Sequence, residues 1–168
     1  MSLARTAGAT SREQPAPSIL RTALPPLTGS RILALEWLLR LATAGTFIGH
    51  GAYGAFMRKP GWYGFFDALG VSPATVDSHH LMRWVGGVEM VLGVLALVAL
   101  VPALLLVMVV WKLGTEFVWY PLHGLPAWEF VERWGNYTAP LALLLLRGWP
   151  TSLAGWFRLR PARAERGA

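Results

Sequence analysis

The sequence predicts an all-α, polytopic membrane protein of one domain, built as a bundle of four transmembrane helices. Of its 168 residues, 54% are hydrophobic and only 14% are charged. The apolar residues are concentrated in blocks: residues 81–120 contain four charged side chains, those of Arg83, Glu89, Lys112 and Glu116. Because hydrocarbon offers no water to satisfy free backbone groups, a chain with such blocks crosses it most economically as helices.

The first span is predicted at residues 32–56, which are apolar apart from Glu36, Arg40 and His50. Its length exceeds the roughly 20 residues that a helix needs to cross a bilayer. The preceding residues 1–30 contain four prolines and little continuous apolar surface. We therefore expect a disordered cytoplasmic tail ahead of the bundle.

The second and third spans are predicted within residues 81–120. As one helix, this stretch would be about 60 Å long, twice the thickness of the hydrocarbon core. The chain is therefore expected to fold back near Val101 and Pro102, giving helices at residues 81–100 and 103–120.

The fourth span is predicted at residues 128–147, which end in an apolar run before Arg147. The four helices place the transmembrane domain at residues 31–150. Residues 151–168 are rich in arginine and are expected to form a basic cytoplasmic tail, with a short piece around Trp156 and Phe157 lying on the inner surface.

Basic residues set the predicted orientation. Nine arginines flank the bundle on the side shared by both termini: Arg5, Arg12, Arg21, Arg31, Arg147, Arg158, Arg160, Arg163 and Arg166. The opposite loops carry fewer basic residues, so the positive-inside bias places both termini in the cytoplasm and the chain as a multi-pass protein in the cell inner membrane. Anionic lipid accounts for the basic tails, so the bilayer is the expected partner and nucleic acid is not.

Tryptophan placement agrees with this orientation. Six of the nine tryptophans fall near predicted helix ends, where amphipathic rings favour the headgroup zone. They are Trp37, Trp84, Trp119, Trp128, Trp134 and Trp149.

The candidate functional residues are polar or aromatic side chains inside the spans. An ionisable group in hydrocarbon costs roughly 2.5 to 3.5 kcal/mol on insertion scales, so such groups tend to face the bundle interior and to be paired. Helical periodicity gives each span one polar stripe, and together the stripes predict a pocket open to the outside with Arg40 as its floor. On the second span Gly86, Gly93 and Ala96 share the face of Glu89, which predicts a seam of small residues that permits close helix approach. The inner halves of the second, third and fourth spans are apolar, so the pocket is expected to be closed beneath. The predicted ligand-binding residues are Arg40, Phe47, His50, Glu89, Trp111, Lys112, Glu116, Asn136 and Tyr137.

A purely structural interpretation stays open for several of these residues. Glu36 with Arg40, and Lys112 with Glu116, are spaced four apart and could neutralise one another within a helix. Glu89 has no such partner in its own helix, so it needs Lys112, Arg40, a proton or a ligand.

A metal or haem site built from the four histidines is disfavoured, because His50, His79, His80 and His123 follow no ligand motif. No nucleophile or phosphate-loop motif assigns a catalytic residue either, and whether the protein is an enzyme stays open.

Two segments resemble the DoxX-like family of small four-helix membrane proteins. One is the first helix with its exit, Arg40-Leu-Ala-Thr-Ala-Gly45-Thr-Phe-Ile-Gly-His50-Gly51, and the other is Gly86-Gly-Val-Glu89-Met-Val-Leu-Gly93 in the second helix. The closing Arg147-Gly-Trp-Pro-Thr-Ser-Leu153 is similar to that family's exit motif. The resemblance covers most of residues 32–153, while the short apolar turn at Pro102 and the long aromatic loop before His80 depart from it.

The resemblance implies a membrane subunit associated with a redox system, whose pocket holds a quinone-like or other small organic ligand. In this hypothesis Arg40 and His50 hydrogen-bond the ligand, and Glu89 exchanges a proton with it. The ligand ring would be flanked by Trp111, Phe47 and Tyr137. A redox enzyme subunit and a second copy of the chain are the protein partners considered.

The alternative function is non-enzymatic. In that case the protein would be a structural or assembly subunit that recruits a partner through an aromatic outer loop containing Gly61, Trp62, Tyr63, Phe65 and Phe66. A small transporter is disfavoured, because the sequence has no detectable inverted repeat or broken span.

Overall fold

The computed structural model describes residues 28–57, 62, 64, 66, 69–71, 78–118, 124 and 126–159. These residues are mostly helical and contain no strand, so the all-α prediction is confirmed. In chain order the elements are α1 (Gly29–Ala52), its π-helical continuation (Tyr53–Met57), α2 (Ser78–Val98), α3 (Pro102–Phe117), α4 (Ala127–Glu132), α5 (Gly135–Arg147) and α6 (Leu153–Phe157).

Two of these helical segments are long and apolar enough to cross a membrane, Gly29–Met57 and His79–Val98. The shorter α3 has 16 residues and α5 has 13, which at about 1.5 Å per residue gives lengths of roughly 24 and 20 Å.

The chain folds back between α2 and α3 at the predicted place. Val101 has an extended backbone (φ −104°, ψ 124°), as expected of a residue before proline, and Pro102 opens α3. Proline is suited to this first helical position because its missing N–H would have no partner within the helix. The fold-back near Val101 and Pro102 is therefore confirmed.

The predicted fourth helix is divided into α4 and α5 by a break at Arg133 and Trp134. The backbone N–H groups of Arg133 and Trp134 bond three residues back, to Phe130 O and Val131 O, which tightens and ends α4. The Arg133 guanidinium also donates to Glu129 O at 2.9 Å, and Gly135, a weak helix former, begins α5.

Helices α1 and α2 are in very close contact along a seam of glycines. A Cβ atom added at Gly51 would lie 2.5 Å from Gly86 O, and one added at Gly93 would lie 2.7 Å from Ile48 Cγ1. Only glycine fits where two backbones approach this closely. The small-residue seam predicted for the second helix is confirmed. Helix α5 packs against both α1 and α3, which completes the bundle.

The bundle buries charges and exposes aliphatic side chains. Five charged residues in the spans are at most 6% exposed: Glu36, Arg40, Glu89, Lys112 and Glu116. Four valines of α2 form an exposed stripe, Val88, Val91, Val94 and Val98. Paired charges inside and aliphatic side chains outside are the distribution expected of helices surrounded by hydrocarbon.

Exposed tryptophans lie at both ends of the bundle. Trp84, Trp128 and Trp134 are at one end, and Trp37 and Trp149 are at the other, all at least 43% exposed. Trp119 lies outside the described residues, as do residues 1–27 and 160–168 of the expected tails. Residues 153–157 of the expected C-terminal tail form α6, whose Trp156 packs against the core.

An apolar core fills the half of the bundle nearest the α2–α3 turn. Its buried members are Phe47, Ala96, Leu100, Leu105, Met108, Leu143 and Leu144. This half contains the apolar inner ends predicted for the second, third and fourth spans. The opposite half contains the candidate site.

Candidate ligand-binding site

A partly open cavity of about 160 Å³ lies in the half of the bundle away from the α2–α3 turn. One water molecule needs roughly 15 Å³ on the same measure, so the cavity has room for a small organic ring. It is lined by His50, Tyr53, Gly54, Trp62, Phe66, Met82, Val85, Gly86, Glu89, Lys112, Thr115, Glu116 and Arg133.

A buried ion pair between α2 and α3 lies at the base of the cavity. Lys112 Nζ donates to Glu89 Oε1 at 2.7 Å, and the two side chains are only 3% and 7% exposed. The indole N–H of Trp111 donates to the same carboxylate oxygen at 2.8 Å. The Lys112 ammonium lies over the Phe47 ring, with Nζ 5.1 Å from the ring centroid. Each charge therefore has the partners that a site without water requires.

A second carboxylate, Glu116, lies one helical turn along α3 from Lys112. Its Oε1 accepts from Asn136 Nδ2 at 3.1 Å, and its Oε2 is 3.7 Å from Arg133 Nε. The Arg133 side chain also lies near Glu129 and Glu132 at the rim of the bundle. The Glu116 carboxylate thus connects α3 to the break between α4 and α5.

His50 lies between Lys112, which is paired with Glu89, and Glu116. Its Nδ1 is 2.9 Å from Lys112 Nζ and 3.9 Å from Glu116 Oε1. The Trp62 ring meets the imidazole edge to face with a centroid distance of 5.8 Å, and Trp62 also contacts Tyr53 at 6.2 Å. The cavity therefore has polar residues at its base and on one side, and aromatic rings near its opening.

Local backbone structure explains why these groups meet. The glycine seam brings α1 against α2, so that His50 of α1 and Glu89 of α2 both border the space next to α3. Immediately after His50, α1 widens into a π-helical turn that carries Tyr53 and Gly54 into the cavity wall. Such turns occur frequently at functional sites, because they shift the direction of the side chains that follow.

Four of the predicted ligand-binding residues line the cavity: His50, Glu89, Lys112 and Glu116. Others support these four from behind, since Phe47 contacts Lys112, Trp111 bonds Glu89 and Asn136 bonds Glu116. Tyr137 is stacked on Phe130 at 5.7 Å and does not belong to the described lining.

Arg40, the predicted floor of the pocket, belongs to a separate cluster nearer the other end of α1. It donates to Glu36 Oε1 at 2.7 Å and to Leu97 O at 2.9 Å, and Arg147 donates to the same Glu36 oxygen at 3.1 Å. The within-helix pairing of Glu36 with Arg40 is confirmed. The floor of the cavity is formed instead by Lys112, which pairs with Glu89 of α2.

Several lining residues were not predicted from the sequence. Trp62 and Phe66 belong to the aromatic loop that was expected to recruit a partner, yet Trp62 contacts His50 and Phe66 is only 3% exposed. Gly61, Tyr63 and Phe65 of that loop lie outside the described residues. Met82 and Arg133 also line the cavity. Met82 is four residues before Gly86 on the predicted seam, and this spacing was the available signal.

No metal site is formed by the described residues, among which no three His, Asp or Glu side chains come together in a suitable group. In comparisons with known proteins, no family model, curated protein or solved structure matches this chain.

Proposed function

We propose that this protein is a DoxX-like integral membrane subunit of a redox system, and that its cavity binds a quinone-like ligand. It would span the inner membrane four times, with both termini in the cytoplasm. The observation that carries the proposal is a cavity with an ammonium and an imidazole at its base and aromatic side chains near its opening.

The distribution of charge and tryptophan supports the membrane part of the proposal. Charged groups are paired inside the bundle, and the α2 valines cover its outside. Exposed tryptophans at both ends fit two interfacial belts. Helices α4 and α5, which meet at Arg133 and Trp134, together extend over residues 127–147, long enough to serve as one span.

The chemistry of the lining supports the ligand class. A quinone has a flat apolar ring and carbonyl oxygens that only accept hydrogen bonds. The Lys112 ammonium has three N–H donors, of which one is directed to Glu89 and one to His50, leaving one for a ligand oxygen. The ring would pack against Trp62, Phe66 and Met82, as apolar parts of ligands do in such pockets.

Binding of a defined quinone tests the proposal. The full-length protein would be purified in nanodiscs, extracted for bound small molecules, and titrated with 2-methyl-1,4-naphthoquinone. Met82→Trp fills the cavity, because Met82 is a buried lining residue. Val88→Trp adds the same bulk on the exposed face of the same helix and serves as the matched control.

We expect the wild type and Val88→Trp to bind the probe with similar affinity, and Met82→Trp to bind it at least about tenfold more weakly, a loss of about 1.4 kcal/mol. The proposal fails if the wild type binds no probe and carries no extractable quinone. It also fails if Met82→Trp folds and binds as tightly as Val88→Trp.

A further inference from the structure

We infer that His50 is the proton carrier of the cavity, taking a proton at Nδ1 and exchanging Lys112 for Glu116 as its partner. The inference deepens the proposed function, since the proton is destined for the ligand. The inference depends on the position of His50 Nδ1, which lies between a cation and a carboxylate, 2.9 Å from Lys112 Nζ and 3.9 Å from Glu116 Oε1.

The donor and acceptor inventory sets the starting state. A lysine ammonium can only donate hydrogen bonds, so His50 Nδ1 must accept from Lys112 and carry no proton. In the neutral ring the proton is then on Nε2. A proton arriving at Nδ1 removes this acceptor and places two positive charges side by side. A carboxylate oxygen to which the new N–H can turn is Glu116 Oε1, 3.9 Å away.

Glu89 is a poorer proton carrier, although the sequence pointed to it. Its Oε1 already accepts hydrogen bonds from Lys112 and Trp111, and its side chain is only 7% exposed. With both donors directed at this oxygen, Glu89 is the counter-charge of Lys112 in the described structure. The His50 side chain is 29% exposed and borders the open part of the cavity, where water can supply the proton.

The charges around His50 balance when the imidazole is neutral. Lys112 and Glu116 face it from α3, Glu89 faces the same cavity from α2, and Arg133 faces it from the break between α4 and α5. Among these four lining residues the charges sum to zero, and Glu129 and Glu132 lie beyond them, beside Arg133. Protonation of His50 therefore adds one positive charge to the lining, which a reduced, anionic ligand would neutralise. Proton uptake and arrival of negative charge on the ligand thus favour each other.

The transfer itself is balanced. Imidazole gains one proton from hydronium that reaches the cavity from the solvent, forming imidazolium and leaving water, and it returns to neutral imidazole when Nδ1 gives that proton to a ligand oxygen. His50 is neither oxidised nor reduced. The apolar core around Phe47, Leu105 and Met108 fills the other half of the bundle, so the exchange is with the side on which the cavity opens.

Nitrogen NMR of ligand-free protein tests the inference independently of any ligand. Full-length protein labelled with ¹⁵N-histidine would be studied in nanodiscs between about pH 9 and pH 5, the range in which histidine commonly titrates. Comparison with His50→Gln assigns the His50 signals among those of the four histidines. His80→Gln, which alters an exposed residue outside the lining, is the control and leaves the His50 signals unchanged.

We expect neutral His50 to carry its proton on Nε2, and acidification to add one at Nδ1. The inference is wrong if neutral His50 is protonated at Nδ1, or if its nitrogen signals do not change over this range. A second measurement links the proton to the ligand. Calorimetric titration with 2-hydroxy-1,4-naphthoquinone, whose acidic ring hydroxyl makes it an anion at neutral pH, in buffers of different ionisation enthalpy, should count about one proton taken up per ligand bound.

The His50→Gln variant keeps a side-chain acceptor for Lys112 but cannot carry a proton, so we expect it to bind the anionic probe with no proton uptake. Equal uptake by wild type and His50→Gln would overturn the inference while leaving the proposed function intact. Absence of probe binding by wild type, with the expected NMR behaviour, would instead remove the proposed function and leave His50 as a proton-exchanging group.

Discussion

Removing only one charge of the Lys112–Glu89 pair is expected to destabilise the protein more than replacing both residues with apolar ones. The two groups are 2.7 Å apart with side chains only 3% and 7% exposed, so water replaces a lost partner poorly. Removing one member of a buried pair commonly costs about 3 to 5 kcal/mol, because a desolvated charge is left behind. Lys112→Met leaves the Glu89 carboxylate with Trp111 as its remaining described donor.

The double variant Lys112→Met with Glu89→Leu removes both charges and replaces them with apolar groups of similar size. Replacement of buried ion pairs in this way is often neutral or stabilising by about 1 to 4 kcal/mol. We therefore expect the double variant to be at least about 2 kcal/mol more stable than Lys112→Met, although it carries one more substitution.

The assay is reversible unfolding in mixed micelles of detergent and SDS, followed by circular dichroism. Glu132→Gln serves as the control, because it removes a carboxylate whose side chain is 76% exposed, and it should change stability by less than about 1 kcal/mol. The reasoning is refuted if Lys112→Met is as stable as Glu132→Gln. It is equally refuted if the stability lost by the double variant equals the sum of the losses of Lys112→Met and Glu89→Leu measured singly, since the two groups would then be uncoupled.

Three further predictions concern the seam, the outer surface and the second polar cluster. Gly86→Ala should lower the free energy of unfolding by roughly 1 to 3 kcal/mol, because its Cβ would lie 2.5 Å from Ala55 N. Gly87→Ala is the control and should be tolerated in the same unfolding assay, because a Cβ atom there meets open space. Val91 is 60% exposed, so Val91→Lys should make the free energy of membrane insertion of α2 less favourable by roughly 2.5 to 3.5 kcal/mol in a translocon assay. A change under about 0.5 kcal/mol would argue for water around α2. Glu36→Gln should destabilise the bundle by about 3 kcal/mol, measured by the same unfolding method, because it removes the carboxylate that Arg40 and Arg147 share, and partial rescue by adding Arg40→Met would confirm that the lost charge balance is the cause.

The parts of the fold that depend on periodicity were predictable from the sequence. Burial of Glu36, Arg40 and Phe47 follows from one stripe along α1, and the fold-back at Pro102 follows from span length. The end of α4 was not predicted, because it depends on Arg133 bonding Glu129 O, an interaction that apolar patterning does not register.

The site was predictable in composition and less so in its connections. Helical stripes direct His50, Glu89, Lys112 and Glu116 toward one pocket, and the structure brings all four to one cavity. Which charged residues form ion pairs depends on which helices are neighbours. The spacing of residues along the chain left Arg40 and Lys112 as alternative partners for Glu89. The inward fold of Trp62 is likewise a long-range contact with His50 that no local pattern encodes.

The close contact between α1 and α2 gives the cavity one wall that we expect to be rigid. Where Gly51 meets Gly86, a Cβ atom would lie 2.5 Å from a main-chain oxygen, so sliding or rotation of either helix would bring main-chain atoms into collision. We therefore expect His50 and Glu89 to keep their mutual spacing when a ligand enters. Widening of the cavity is then expected at α3, and ligands whose shape fits the rigid wall should bind most tightly.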